Sequence, residues 1–237
     1  MIDKDLLGKY TAELGVLLDE VALDRFDRYA ELLTEANGRV NLTAITEPNN
    51  ILVKHFIDSL TLLSVTGLNA GDSLIDLGTG AGFPGAAVLM ARHGVRVTLL
   101  DSTKKKLNFV SDSLSELGLS AEIVHARAED AARQDVYRER YDVAAARAVA
   151  GLRELCELCL PFVKVGGLFA AMKGVCPTEE IDGAKRAVQV LGGEIGGIKE
   201  LRLPDGSERT IILIKKISQT PAKYPRPFAK IANQPLV

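Results

Sequence analysis

Asp76, Gly78, Gly80, Gly82 and Gly85 fall within one stretch, DLGTGAGFPG, between a short β-type run, SLIDL, and a helical run, PGAAVLMARHG. Glycines in that setting allow a tight turn and let backbone come close to a ligand over a helix N-terminus. The bland use of the same residues is a turn that joins strand to helix. Asp101 closes the next β-type run, VRVTLLD, 23 residues after Gly78. A carboxylate at that distance accepts hydrogen bonds from ribose hydroxyls in nucleotide-binding α/β sheets, and it would equally cap the following DSTKKK helix. Arg127-Ala128-Glu129-Asp130 closes the third run, where Glu129 or Asp130 would also suit the acidic first turn of a short helix. Arg147 stands among small residues at the end of the fourth run, and Lys173-Gly174 ends the fifth. An arginine in a central strand is costly unless paired, so Arg147 is expected to face a ligand crevice. Charges of both signs at one sheet edge suit a zwitterionic cofactor and an anionic substrate.

The glycine loop has two spellings. Gly80, Gly82 and Gly85 give G-x-G-x-x-G, the dinucleotide fingerprint, which would make the chain an NAD-dependent oxidoreductase with Asp101 on the ribose. Asp76, Gly78, Gly80 and Gly82 give D-x-G-x-G-x-G, the spelling of S-adenosylmethionine-dependent methyltransferases. The oxidoreductase reading leaves little chain for a substrate domain and finds no acid for a hydride site. A third reading is a non-catalytic RNA-binding protein on a vestigial nucleotide fold.

These residues need a scaffold, and the periodicity supplies one. DRFDRYAELLTEANG places Phe26, Tyr29, Leu32, Leu33 and Ala36 at helical intervals, and a second helix is predicted over about 49–64. From Ser73 onward β-type and helical runs alternate, as in βαβ units around a parallel sheet. Strand markers at Leu74, Val95, Ile123, Val143, Leu168, Ile195 and Thr210 predict seven strands. The last two are joined only by the turn at Pro204–Ser207, too short for a crossover, so the final strand is expected to be antiparallel. The predicted class is α/β, a doubly wound, mostly parallel Rossmann-like sheet. The predicted organisation is one structural domain made of an N-terminal helical extension over 1–70 packed on the core, a core over 71–216 and a basic, proline-containing tail over 217–237.

Composition narrows the classes. Hydrophobic residues make up 47% of 237 residues and charged residues 25%, which excludes disordered and fibrous chains. The longest uncharged stretch, Leu77–Ala91, is short of a membrane span and broken by four glycines and a proline. Asp3 and Asp5 stand where a secretory signal carries basic residues, and three cysteines do not make a disulfide framework, so a cytoplasmic chain is expected. Cys156 and Cys159 form C-x-x-C on a helix with Leu152 and Leu155 at core spacing, and two further zinc ligands are lacking, so no metal is expected. The net charge is only −2, yet the six basic residues within 209–237 meet no acid there. That asymmetry marks either an electrostatic footprint for RNA or a solvated tail. Lys104–Lys106 open a helix against its dipole, which favours a phosphate role over a solvated helix start.

Over nearly its whole length the chain resembles the small-subunit ribosomal RNA guanine-N7 methyltransferases called glucose-inhibited division protein B. The resemblance rests on Asn41-Leu42-Thr43, His55-Phe56-Ile57-Asp58-Ser59-Leu60, the DLGTGAGFPG loop, Asp101-Ser102 with Lys104-Lys105-Lys106, Arg127-Ala128-Glu129-Asp130, Ala146-Arg147-Ala148, Lys173-Gly174 and Lys223-Tyr224-Pro225-Arg226. It implies methyl transfer from S-adenosylmethionine to N7 of a guanine in the decoding-region loop of 16S rRNA. It also implies cofactor contacts at Gly78, Phe83, Ala128, Glu129 and Arg147, beside the Asp76, Gly80, Gly82 and Asp101 of the loop and second strand. The RNA contacts expected are Lys104, Lys105, Lys173, Arg209, Lys223 and Arg226. The partner expected is 16S rRNA or the small ribosomal subunit, met by a monomeric chain without membrane or metal. Guanine N7 offers a lone pair and no proton, so proximity and orientation suffice and no general base is required. His55 is the one weak catalytic candidate, set against a structural role on an apolar face with Leu52 and Phe56.

Overall fold

The computed structural model describes residues 1–147 and 150–236. Ala148 of the Ala146-Arg147-Ala148 motif lies outside the described residues. Seven strands form one sheet: β1 (Ser73–Leu77), β2 (Arg96–Asp101), β3 (Glu122–His125), β4 (Tyr141–Arg147), β5 (Val163–Lys173), β6 (Gly193–Arg202) and β7 (Glu208–Lys216). Their order is β3-β2-β1-β4-β5-β7-β6. β3 to β5 run parallel, and β7 enters antiparallel between β5 and β6. The mostly parallel, seven-stranded architecture expected from the alternating runs is the one observed, including the inserted antiparallel strand. Every residue of β1 is buried, as a strand covered on both faces requires. The strand order reverses between β1 and β4, which opens a crevice at their carboxyl ends.

Among the described residues twelve helical pieces flank the sheet: α1 (Lys4–Glu13), α2 (Glu20–Val40), α3 (Pro48–Ile51), a π-helical turn (Leu52–Ile57), α4 (Asp58–Thr66), α5 (Gly85–Ala91), α6 (Lys104–Glu116), α7 (Ala128–Ala131), α8 (Leu152–Cys159), a 3-10 turn (Leu160–Phe162), α9 (Thr178–Val190) and α10 (Phe228–Asn233). α1 and α2 start at aspartates: Leu6 N–H donates to Asp3 at 2.9 Å and Ala22 N–H to Asp19 at 2.7 Å, which satisfies helix donors otherwise left orphaned. The helix predicted over 49–64 is three pieces instead of one. The middle piece, a π turn, carries His55, and just after it the Ser59 and Thr61 hydroxyls bond back to the carbonyls of His55 and Asp58. Phe26, Tyr29 and Leu33 of α2 share one core with Phe56, Phe83 and Leu99. α8, α9 and the tail close the other face.

The tail is packed. Lys216 is fully buried, and its ammonium donates to the Leu160 carbonyl at 2.7 Å and pairs with Glu139 at 3.1 Å. Arg138 donates to the carbonyls of Thr220 at 2.8 Å and Tyr224 at 3.0 Å. Arg226 reaches Glu157 of α8 through Nε and Nη2 at 2.8 and 2.6 Å, and its backbone N–H adds a third bond at 2.8 Å. The acids missing from this segment in sequence are supplied in space by Glu139 and Glu157.

Candidate functional site

At the β1/β4 crevice lies a cleft of about 350 Å³. Gly78, Asp101, Ala128, Glu129 and Arg147 of the expected cofactor set line it, with Leu155, Leu158 and Cys159 of α8 and Phe228 of α10. Asp101 lies in this cleft and holds two backbone segments together. One carboxylate oxygen accepts Thr103 N–H at 2.7 Å at the start of α6, and the other accepts Gly80 N–H at 2.9 Å and so ties β2 to the glycine loop.

Asp76, Gly80, Gly82 and Phe83 stand behind this lining. Asp76 is fully buried, and one of its oxygens accepts the Thr79 hydroxyl at 2.6 Å and Gly85 N–H at 2.8 Å, which folds the loop over the end of β1. Its other oxygen has no partner, and burial pushes the carboxyl up to about 6. Gly82 has φ of +92°, and a Cβ there would lie 2.4 Å from the Tyr29 hydroxyl, which itself donates to the Ala81 carbonyl at 2.8 Å. The loop is therefore pressed against α2 and has no space for a side chain at that point. At Gly80 a Cβ would meet only the Gly78 carbonyl oxygen at 3.9 Å, so the constraint there is the left-handed φ of +58°.

Arg147 also lines a second cleft, of about 370 Å³, with Ile45, Lys54, His55, Asp58, Lys173 and Arg209. Its guanidinium donates to the Lys54 carbonyl at 3.0 Å, to Asp58 at 3.1 Å and to His55 Nδ1 at 3.4 Å, and lies 5.4 Å from the Phe83 ring centroid. Arg209 donates to the other oxygen of Asp58 at 3.0 Å. Asp58, 5% exposed, thus bridges two arginines brought from β4 and β7.

The same contacts fix the state of His55. An arginine cannot accept, so Nδ1 is the lone-pair nitrogen and Nε2–H donates to Thr43 Oγ1 at 2.9 Å. The ring stacks on Phe83 at 4.6 Å and 8°. Burial, and then the charge of Arg147, lower its pKa to about 3. His55 is a neutral spacer between Thr43 and Arg147 with its lone pair already used, which removes it as a base. An unfolded histidine protonates near 6.5, so this site contributes stability that is complete above that pH and is lost as pH falls toward 3. Asp76, raised, has the opposite slope between about 4 and 6. The difference in unfolding free energy between the wild type and His55→Gln cancels the Asp76 contribution. It is expected to shrink by about 1.4 kcal/mol per pH unit from pH 6.5 downward, and denaturant titrations at stepped pH check it.

Of the residues expected at RNA, Lys173 and Arg209 reach the second cleft already paired, Lys173 with Glu180 at 2.6 Å and Arg209 with Asp58. Lys104 and Lys105 are exposed at the start of α6, and Lys223 is exposed beside the Tyr224 ring. Arg226 is paired with the buried Glu157 at 2.6 Å. Cys156 and Cys159 are buried and free, and among the described residues no cluster of three or more His, Cys, Asp or Glu is placed to hold a metal. Among those residues no helix is long and apolar enough to cross a membrane. Asp58 and Phe228 escaped the sequence reading as site residues. Asp58 stands inside a motif without an assigned role, and nothing local to Phe228 points to a cleft built otherwise from residues 77–159.

Residues 22–211 match the family described as rRNA small subunit methyltransferase G. The chain is 46% identical over 216 residues to the ribosomal RNA small subunit methyltransferase G of Pelotomaculum thermopropionicum, covering 90% of each chain. It is 40% identical over 235 residues to the protein of that name from Clostridium novyi, covering 98% of this chain and 97% of the other. Among solved structures, a SAM-dependent O-methyltransferase from Thermotoga maritima superposes with a TM-score of 0.52 at 17% identity, over 79% of this chain and 72% of that one, a likeness of fold.

Proposed function

The chain belongs to the rRNA small subunit methyltransferase G family and is an rRNA methyltransferase, and on that premise we propose that it moves a methyl group from S-adenosylmethionine to N7 of a guanine in the decoding-region loop of 16S rRNA. The observation that carries the reading is the pair of clefts that meet at Arg147. A cofactor cleft and a substrate cleft must share a wall if a methyl group is to pass between them.

The residues present fit the cofactor by the chemistry of their donor set. Asp101 and Glu129, each 8% exposed, put two carboxylates in a cleft whose other walls are largely apolar, which suits hydroxyl groups and a cation carried on an apolar body. Gly78, Asp101, Ala128, Glu129 and Arg147 would hold it, with Asp76, Gly80, Gly82 and Phe83 shaping the loop beneath. When bound, the cofactor supplies an electrophilic methyl on sulfur. The chain supplies position. Guanine N7 has no proton to lose, and no residue here is poised to take one, since the His55 lone pair faces Arg147. Proximity and orientation would supply the rate. In the second cleft the cations of Arg147, Lys173 and Arg209 favour an anionic substrate, and their carboxylate partners hold them in place. Exposed Lys104, Lys105 and Lys223 remain for backbone phosphates. An rRNA substrate supports a cytoplasmic location for the chain.

Calorimetric titration with S-adenosylmethionine and, separately, with NAD tests the cofactor. Saturable binding of the first alone is expected. Binding of NAD alone would return the loop to its dinucleotide spelling.

A further inference from the structure

The cofactor cleft has one wall that comes from the chain's end. Among its described lining residues Phe228 is the one aromatic, and it is 40% exposed although Tyr224 and Ile231 on either side of it are buried at 7% and 0%. A large apolar ring left open at the rim of a cleft by an otherwise packed segment needs a reason. Its position is enforced. Arg226, two residues earlier, is clamped on the fully buried Glu157 of α8, and the same helix sends Leu155 and Leu158 into the cleft. Small side chains at Ala126 and Ala128 also line the cleft and leave room for a flat group. Asp101 stands in the same cleft with its carboxylate at the end of β2.

Resting on the cofactor reading above, we propose that Phe228 is a cofactor-binding residue, the aromatic wall on which the purine of S-adenosylmethionine stacks. The tail then serves the cofactor site. Its prolines and its Glu157–Arg226 clamp hold one ring in place, and the cost of ordering that ring is met during folding instead of on binding.

The chain contains no tryptophan, so Phe228→Trp introduces a single indole at the rim. Phe228→Ala is expected to bind S-adenosylmethionine and adenosine roughly 5- to 150-fold more weakly, the span of base–aromatic stacking, with an unchanged melting temperature because the ring is half open. Phe228→Trp is expected to keep the affinity, and its emission to be quenched by S-adenosylmethionine and adenosine but not by methionine. Wild-type affinity in Phe228→Ala, or indole emission that ignores saturating S-adenosylmethionine, overturns the proposal while leaving the cofactor assignment standing. A wild-type chain that takes up no S-adenosylmethionine overturns that assignment, and the role of Phe228 with it.

Discussion

Arg226→Ala is expected to lower the melting temperature by roughly 6–20 °C while the salt dependence of RNA binding stays as it was. Glu157 is 0% exposed and accepts three hydrogen bonds from Arg226, two from the guanidinium and one from the backbone. Removing the side chain leaves a buried carboxylate with its countercharge gone, a change that costs about 3–5 kcal/mol. In a chain of this size each kcal/mol is worth about 2–4 °C. An arginine on a phosphate would behave differently. Its loss would flatten the slope of log affinity against log salt by about 0.7–0.9 and spare the melting temperature. Lys223→Ala, at an exposed lysine of the same tail, is the internal control, for which the flatter slope and unchanged melting temperature are the expected pair. Differential scanning calorimetry and RNA-binding isotherms at several salt concentrations read both quantities on each variant.

Asp58→Ala is the second large effect. Its two oxygens accept from Arg147 and Arg209, whose side chains are 14% and 19% exposed. Without the carboxylate, two guanidiniums of like sign face each other in a partly desolvated cleft, and one or both must swing away. Arg147 also holds His55, and His55 stacks on Phe83 beneath the glycine loop, so the movement is felt on the wall that both clefts share. A displacement near 1 Å there costs about 10²-fold in rate. Single-turnover methylation by Asp58→Ala is expected to slow by at least about 10²-fold, with affinity for S-adenosylmethionine weakened as far as Arg147, which lines the first cleft, leaves its place. Asp58→Asn keeps one acceptor and is expected to fall between the two. A variant that methylates at the wild-type rate removes the Arg147–Asp58–Arg209 bridge from the account.

These two effects lie where the sequence was hardest to read. Alternating runs and one short turn contained the sheet, down to the antiparallel strand between β5 and β6, because strand period and turn length are local properties. The glycine loop and Asp101 were legible for the same reason. Pairing across the fold was not. Glu157 and Arg226 are 69 residues apart, and Asp58 and Arg209 are 151 apart, and neither separation leaves a mark in periodicity or spacing. A basic tail without acids in its own segment reads as a surface for RNA, yet Glu139 and Glu157 meet it in space. α1 and the π turn were also hidden, the first because its apolar stripe is weak and the second because its residues read as ordinary helix. His55 was narrowed in sequence to structural or catalytic, and only the donor at Nδ1 decides between them.

The central claim is methyl transfer to one guanine N7. Its most direct test is incubation of the chain with methyl-labelled S-adenosylmethionine and small-subunit rRNA or 30S particles from a strain lacking the gene, followed by borohydride reduction and aniline cleavage, which cut RNA at N7-methylguanosine. A single new cleavage is expected in the decoding-region loop of 16S rRNA, matched in position by the incorporated label and absent with Asp58→Ala at short times. Label on another atom, cleavage elsewhere in the RNA, or no incorporation by a chain that binds the cofactor would contradict it.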